Sequence, residues 1–198
     1  MTPFLEWLES TWLSTTLRDS PNIFLYPTIL AFHTLGLAFF VGISSAIALR
    51  ILGVAPQVPL APFRKLYPIM WIGFAFNAVS GLLLLVIEPV KFLAMVDFWI
   101  KLLAIAGAVY CNRVLYVRLF RNPAAVDPNP LPAGDKALAG VILFLWAVSI
   151  TAGRLTAYDD AYTQWQTALG TAMVSAVLIA GGYAAVTLWR LVRHGTIS

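Results

Sequence analysis

Charge is what this chain has least of. Only 11% of its 198 residues are Asp, Glu, Lys or Arg, against 60% hydrophobic, and the mean hydropathy is +0.82. Too few polar residues remain to clothe a water-soluble fold of this length, so the solvent must be lipid. Cysteine is nearly absent as well. Cys111 stands alone, which excludes an internal disulfide and reads most simply as a small buried apolar residue. The sequence contains no His/Cys/Asp metal cluster, Ser-His-Asp set, Walker loop or dinucleotide fingerprint. A basic n-region with a small-residue cleavage site is also missing, so Met1 onwards reads as mature protein.

What the chain does have is five long stretches free of ionised residues: 20–49, 66–87, 102–112, 137–153 and 161–189. A helix rising 1.5 Å per residue needs roughly 20 apolar residues to cross about 30 Å of hydrocarbon. The shorter stretches reach that length through flanking residues. Unpaired backbone groups are costly in lipid and no ten-residue alternating pattern occurs, which selects helices over barrel strands. The expectation is an all-α integral membrane bundle forming a single domain over 1–198. Its spans fall at about 27–48, 66–87, 98–120, 135–158 and 165–188, preceded by a short interfacial helix.

Orientation follows from Lys and Arg. Along the chain the segments between the charge-free stretches carry 1, 3, 2, 4, 1 and 2 of them, so alternate segments total 4 against 9. The excess places 50–65, 113–136 and the C-terminal tail in the cytoplasm of a bacterial inner membrane, with the N-terminus periplasmic. Seven acids lie on the outer side: Glu6, Glu9, Asp19, Glu88, Asp97, Asp159 and Asp160. The net charge of +4 is therefore this bias summed over the chain, not a nucleic-acid signal.

Residues 3–17 are amphipathic, with Phe4, Leu5, Leu8 and Trp12 at helical spacing, and read as one helix on the outer membrane surface. Ser20-Pro21 ends it. Pro56, Pro59 and Pro62 make the first cytoplasmic loop too proline-rich to be helical. The fifth span carries Ala168, Ala172, Ala176, Ala180 and Ala184 every four residues, a small-residue packing face within the bundle or between protomers.

His33 is the most unusual residue of the membrane part, about 9 Å along its span from Pro27. Intramembrane ionisable residues are functional candidates, although a neutral imidazole bonded to a Ser, Thr or carbonyl of a neighbouring helix is the plainer role. Lys101 and Arg154 each lie about one turn inside the outer end of their helices, and Glu88 closes the second span on the same side. Together these four form a candidate ligand-binding group in a polar pocket open to the periplasm; the alternative is a set of snorkelling side chains paired with nearby acids. Asn77, mid-span, should bond across to another helix. Ser44, Ser45, Ser80 and Ser149 can return hydroxyls to their own helices. Two histidines on opposite sides of the membrane exclude bis-histidine haem within one protomer, while His33 with Met173 leaves a His-Met haem or copper site conceivable.

The segments HTLGLAFFVG at 33–42 with Arg50 and Leu52-Gly53, SGLLLLVIEP at 80–89 with Phe98 and Lys101, and GRLTAY at 153–158 resemble an uncharacterised family of small bacterial multi-pass inner-membrane proteins. That family is itself loosely similar to copper-resistance D type membrane proteins. The resemblance covers four of the five spans and implies recurrent positions at His33, Glu88, Lys101 and Arg154, with no reaction assigned. Copper handling would suggest several His, Met or Cys ligands, which this chain lacks.

Three functional readings follow. The first is a non-enzymatic protein binding a small ligand, ion or redox cofactor, with anionic groups, a quinone carbonyl or haem propionates as the classes that a cationic floor suits. The second is an accessory subunit packing into a larger membrane complex through the alanine face. The third, a transporter working as a homo-oligomer, is opposed by the odd span count and the lack of an inverted repeat.

Overall fold

The structure is a computed structural model that describes residues 2–121, 131–156, 169–170, 172–174, 176–177, 180 and 182. Every regular element among them is a helix. Four segments are long and apolar enough to cross a membrane, Leu25–Ile51, Ala61–Ile87, Val96–Phe120 and Ala133–Leu155, as the charge-free stretches require. The chain is thus a helical membrane protein. The fifth expected span, 165–188, lies mostly outside the described residues; Ala172, Ala176 and Ala180 of its alanine face are helical and exposed, while Ala168 and Ala184 are not described.

The residues divide into two units. The first comprises Met1–Ala46 and Ala61–Met95. It opens with two short helices, α1 (Thr2–Glu9) and α2 (Trp12–Arg18), where the sequence predicts a single helix over 3–17. The break has a local cause: the Ser10 and Thr11 hydroxyls donate to the carbonyls of Trp7 and Leu8 at 2.7 Å each, and Thr11 then caps α2 by accepting from the Ser14 amide. The long helix α3 (Leu25–Ile51) begins two residues earlier than expected, because Pro27 falls in its first turn, where a missing amide costs nothing.

A 3-10 turn over Ala61–Leu66 leads into α4 (Tyr67–Ile87). This corrects the expectation of a wholly non-helical proline-rich loop. Pro62 and Pro68 both stand at helix starts, where proline is pre-organised. Glu88 ends α4 with φ −139° and starts α5 (Pro89–Ala94). The buried Ser14 hydroxyl of α2 reaches the terminal carbonyl of Ile87 at 3.5 Å, satisfying one of the acceptors a helix end leaves open.

The second unit comprises Ile47–Leu60 and Val96–Ser198. Residues 47–51 of α3 belong to it. The helix ends on Gly53 at φ 92°, with the Val54 amide donating back to the Leu49 carbonyl at 2.9 Å. That left-handed closure is one glycine adopts without strain. The Arg50 Nε donates to the Val58 carbonyl and ties the loop down.

The body of the unit is an antiparallel pair, α6 (Val96–Phe120) and α7 (Ala133–Leu155). Gly107 faces Leu145, Lys101 faces Gly153, and Arg118 faces both Gly134 and Asp135. Ala104, Ala108, Cys111, Leu115 and Leu119 make one buried stripe, and Ala139, Ile142, Trp146 and Ser149 the other. Cys111 is buried in the first stripe, as the sequence implies.

Candidate functional site

The first unit places His33 in a polar cluster inside an apolar span. It begins with a close helix crossing. A Cβ built on Gly36 would stand 2.7 Å from the Asn77 amide nitrogen and the Gly73 carbonyl oxygen, and one on Gly73 would stand 2.7 Å from the Phe39 Cβ. Only glycine lets the backbones of α3 and α4 come this near. The approach carries His33, one turn before Gly36, onto the face of α4 that holds Asn77, Ser80 and Gly81. Gly81 leaves the imidazole room, since a Cβ there would sit 3.1 Å from His33 Cε1.

His33 Nδ1 lies 3.0 Å from the Asn77 carbonyl and 3.1 Å from Ser80 Oγ. The Ser80 hydroxyl in turn donates to the Phe76 carbonyl at 2.6 Å. With its hydrogen committed there, Ser80 Oγ acts as an acceptor toward the ring. The two acceptors beside Nδ1 favour the tautomer with the hydrogen there and the lone pair on Nε2, toward which the Asn77 side-chain amide at 3.4 Å is the matching donor. The Asn77 amide donates to the His33 carbonyl at 2.8 Å and also lies 3.3–3.4 Å from both ring nitrogens, clamping the residue from a second direction. Asn77 and Ser80 are buried, and His33 is half-buried.

The cross-helix bond expected of Asn77 is therefore present, and its partner is His33. The plainer expectation for His33, a carbonyl and a hydroxyl from a neighbouring helix, is met too. Missed in the sequence were Ser80 and Gly81 as parts of the ring's seat. Their spacing from Asn77, three and four residues, was the available signal, because it puts all three on one helix face.

Glu88 belongs to the same unit but not to this cluster. Seven residues beyond Gly81, it stands about 10 Å further along the α4 axis. It is half-buried at the α4–α5 junction, and its carbonyl accepts from Phe92 at 3.1 Å. Near the His33 cluster, a recess of about 550 Å³ runs along the Pro27, Leu30, Ala31, Thr34, Leu35 and Ala38 face of α3; His33 is not among its lining residues.

Lys101 and Arg154 belong to the second unit. The Lys101 stem lies flat across Gly153, with Cδ, Cε and Nζ 3.5–3.6 Å from where a Cβ would be. Arg154 follows Gly153 and is exposed. Met173, in the same unit, is 67% exposed. Among the described residues no group of three His, Cys, Asp or Glu side chains is arranged to hold a metal ion. The chain matches no family model, no curated protein and no solved structure.

Proposed function

We propose that this is a multi-pass inner-membrane protein, N-terminus periplasmic and C-terminus cytoplasmic, that holds a small ligand or redox cofactor from the periplasmic side. His33 supplies the central contact through its imidazole, with Glu88 of the same unit further along α4; Lys101 and Arg154, in the second unit, offer polar contacts of their own. The single observation that carries the reading is the seating of His33. Groups of Asn77 and Ser80 on one face of α4 orient the ring and favour a hydrogen on Nδ1. A histidine so fixed is the form that coordinates a metal or accepts a hydrogen bond from a ligand.

The test is purification in mild detergent from the native membrane, with an oxidised-minus-reduced visible spectrum and mass spectrometry of co-purifying molecules. A chromophore or bound small molecule lost in His33→Ala supports the reading. A colourless preparation with the same small molecules in wild type and His33→Ala refutes it.

A second reading, an accessory subunit of a larger membrane complex, is favoured by the exposure of Ala172, Ala176 and Ala180 and of Phe4, Trp7 and Trp12 on the N-terminal helices. It predicts that other membrane subunits co-purify and that His33→Ala leaves them bound.

A further inference from the structure

We infer that the lipid-facing side of α6, near its C-terminal end, is a binding site for an anionic phospholipid whose phosphate is held by Arg113. The inference is independent of the reading of His33 and of which leaflet that end of α6 occupies.

The site starts from a cation on a face where apolar residues are the rule. Arg113 is exposed on α6, seven residues and so about 10 Å before Phe120, the last residue of the helix. Ala106, Tyr110 and Val117 share its side of the helix and are exposed too, Tyr110 at 70%. The stripe of Ala104, Ala108, Cys111, Leu115 and Leu119 is buried on the other side, so Arg113 faces lipid and not the α6–α7 contact. A helix of 25 residues is about 37 Å long against about 30 Å of hydrocarbon. The Arg113 backbone therefore lies below the headgroups at a depth that its long side chain bridges.

The guanidinium has a fixed rest. Its carbon stands 5.8 Å from the centroid of the Tyr116 ring, a cation–π contact. That ring in turn lies 6.0 Å from the ring of Phe120, which is fully buried. Residues 113, 116 and 120 thus form a line along the helix in which a core side chain steadies a ring and the ring steadies a cation. An arginine held in this way loses less freedom on binding than a mobile one.

Charge selects the class of lipid. Residues 113–121 contain Arg113, Arg118 and Arg121 and no acid. The Asp135 carboxylate answers one of the three, 3.2 Å from Arg118, and the helix C-terminus offers roughly half a charge more. A phosphodiester supplies a full negative charge and paired oxygens that match the guanidinium fork. A headgroup without an ammonium also avoids repulsion between a zwitterion's amine and the same arginines. Phosphatidylglycerol has that form.

The experiment uses the full chain in mild detergent, stripped of endogenous lipid and offered equal amounts of phosphatidylglycerol and phosphatidylcholine, with adducts followed by native mass spectrometry. Wild type is expected to retain phosphatidylglycerol preferentially. Arg113→Gln should lower its occupancy about fivefold or more, the effect of one arginine at an anionic headgroup. Tyr116→Leu leaves every charge in place and should lower it about twofold, because the guanidinium loses its rest. Arg113→Lys keeps the charge without the fork and should fall between wild type and Arg113→Gln; it preserves the test if Arg113→Gln does not fold. Arg121→Gln removes the same charge beyond the helix end and should lower occupancy less than Arg113→Gln. Equal retention of the two lipids by wild type, or an equal loss in Arg121→Gln and Arg113→Gln, overturns the proposal. So does occupancy in Arg113→Gln equal to wild type, the result expected if Asp127 of the following segment neutralises Arg113 instead.

Discussion

The α3–α4 crossing and the α6–α7 pair solve the same problem in different ways. In lipid there is no hydrophobic drive to bring one apolar helix onto another, so association rests on close packing and on polar contacts. In α3–α4 both are concentrated at mid-helix. Gly36 and Gly73 admit direct backbone contact, and one turn away the His33, Asn77 and Ser80 cluster joins the helices through hydrogen bonds. In α6–α7 the contacts are spread out: the flexible end of Leu145 fits against Gly107, the Lys101 stem against Gly153, and charge is met near one end. The first crossing is therefore intolerant of added atoms, and the second is yielding.

Gly36→Ala tests the first crossing most severely. The new methyl would meet two backbone atoms at 2.7 Å, so the helices themselves must part. A loss of about 2–3 kcal/mol is expected, at the upper end of overpacking costs, read from reversible unfolding in mixed micelles. Gly107→Ala puts a methyl 3.1 Å from Leu145 Cδ1, a side-chain tip that can turn aside, and the same measurement should give less than about 1 kcal/mol. Equal losses at the two glycines would remove the distinction.

Asn77→Leu keeps the volume and deletes the amide donated to the His33 carbonyl. Interhelical hydrogen bonds in membranes average below their expected strength, so a cost of about 1 kcal/mol is predicted, with loss of any His33-dependent ligand as the larger effect. The smallest effect belongs to Arg118 and Asp135. The arginine side chain is 53% exposed, and a double-mutant cycle with Arg118→Gln and Asp135→Asn should return a coupling of only about 0.5 kcal/mol, reduced further by salt.

Much of this architecture was legible in the sequence because its cause is one-dimensional. Charge-free runs mark where chain can cross lipid, and α3, α4, α6 and α7 begin and end within about three residues of the spans expected at 27–48, 66–87, 98–120 and 135–158. Asn77 and His33 were legible for the same reason: a polar group at depth in such a run must find a partner. What the sequence did not disclose was which partner, since that depends on which helix faces meet. The alanine repeat is an evident packing signal, whereas the close α3–α4 approach is made by two isolated glycines, Gly36 and Gly73, with no repeat to announce them. Likewise the break at Ser10–Thr11 arises from side-chain bonds to the backbone that the hydrophobic periodicity of residues 3–17 conceals.

The central claim is that α4 holds His33 with its hydrogen on Nδ1 and the lone pair on Nε2. Solid-state nitrogen-15 NMR of histidine-labelled protein in lipid bilayers tests it directly, and with only two histidines the signals are assigned by a single His194→Asn comparison. The account predicts a protonated Nδ1 and an unprotonated Nε2 for His33, with the Nε2 signal displaced when protein is taken from its native membrane with its ligand. A hydrogen on Nε2 and a bare Nδ1 would contradict it.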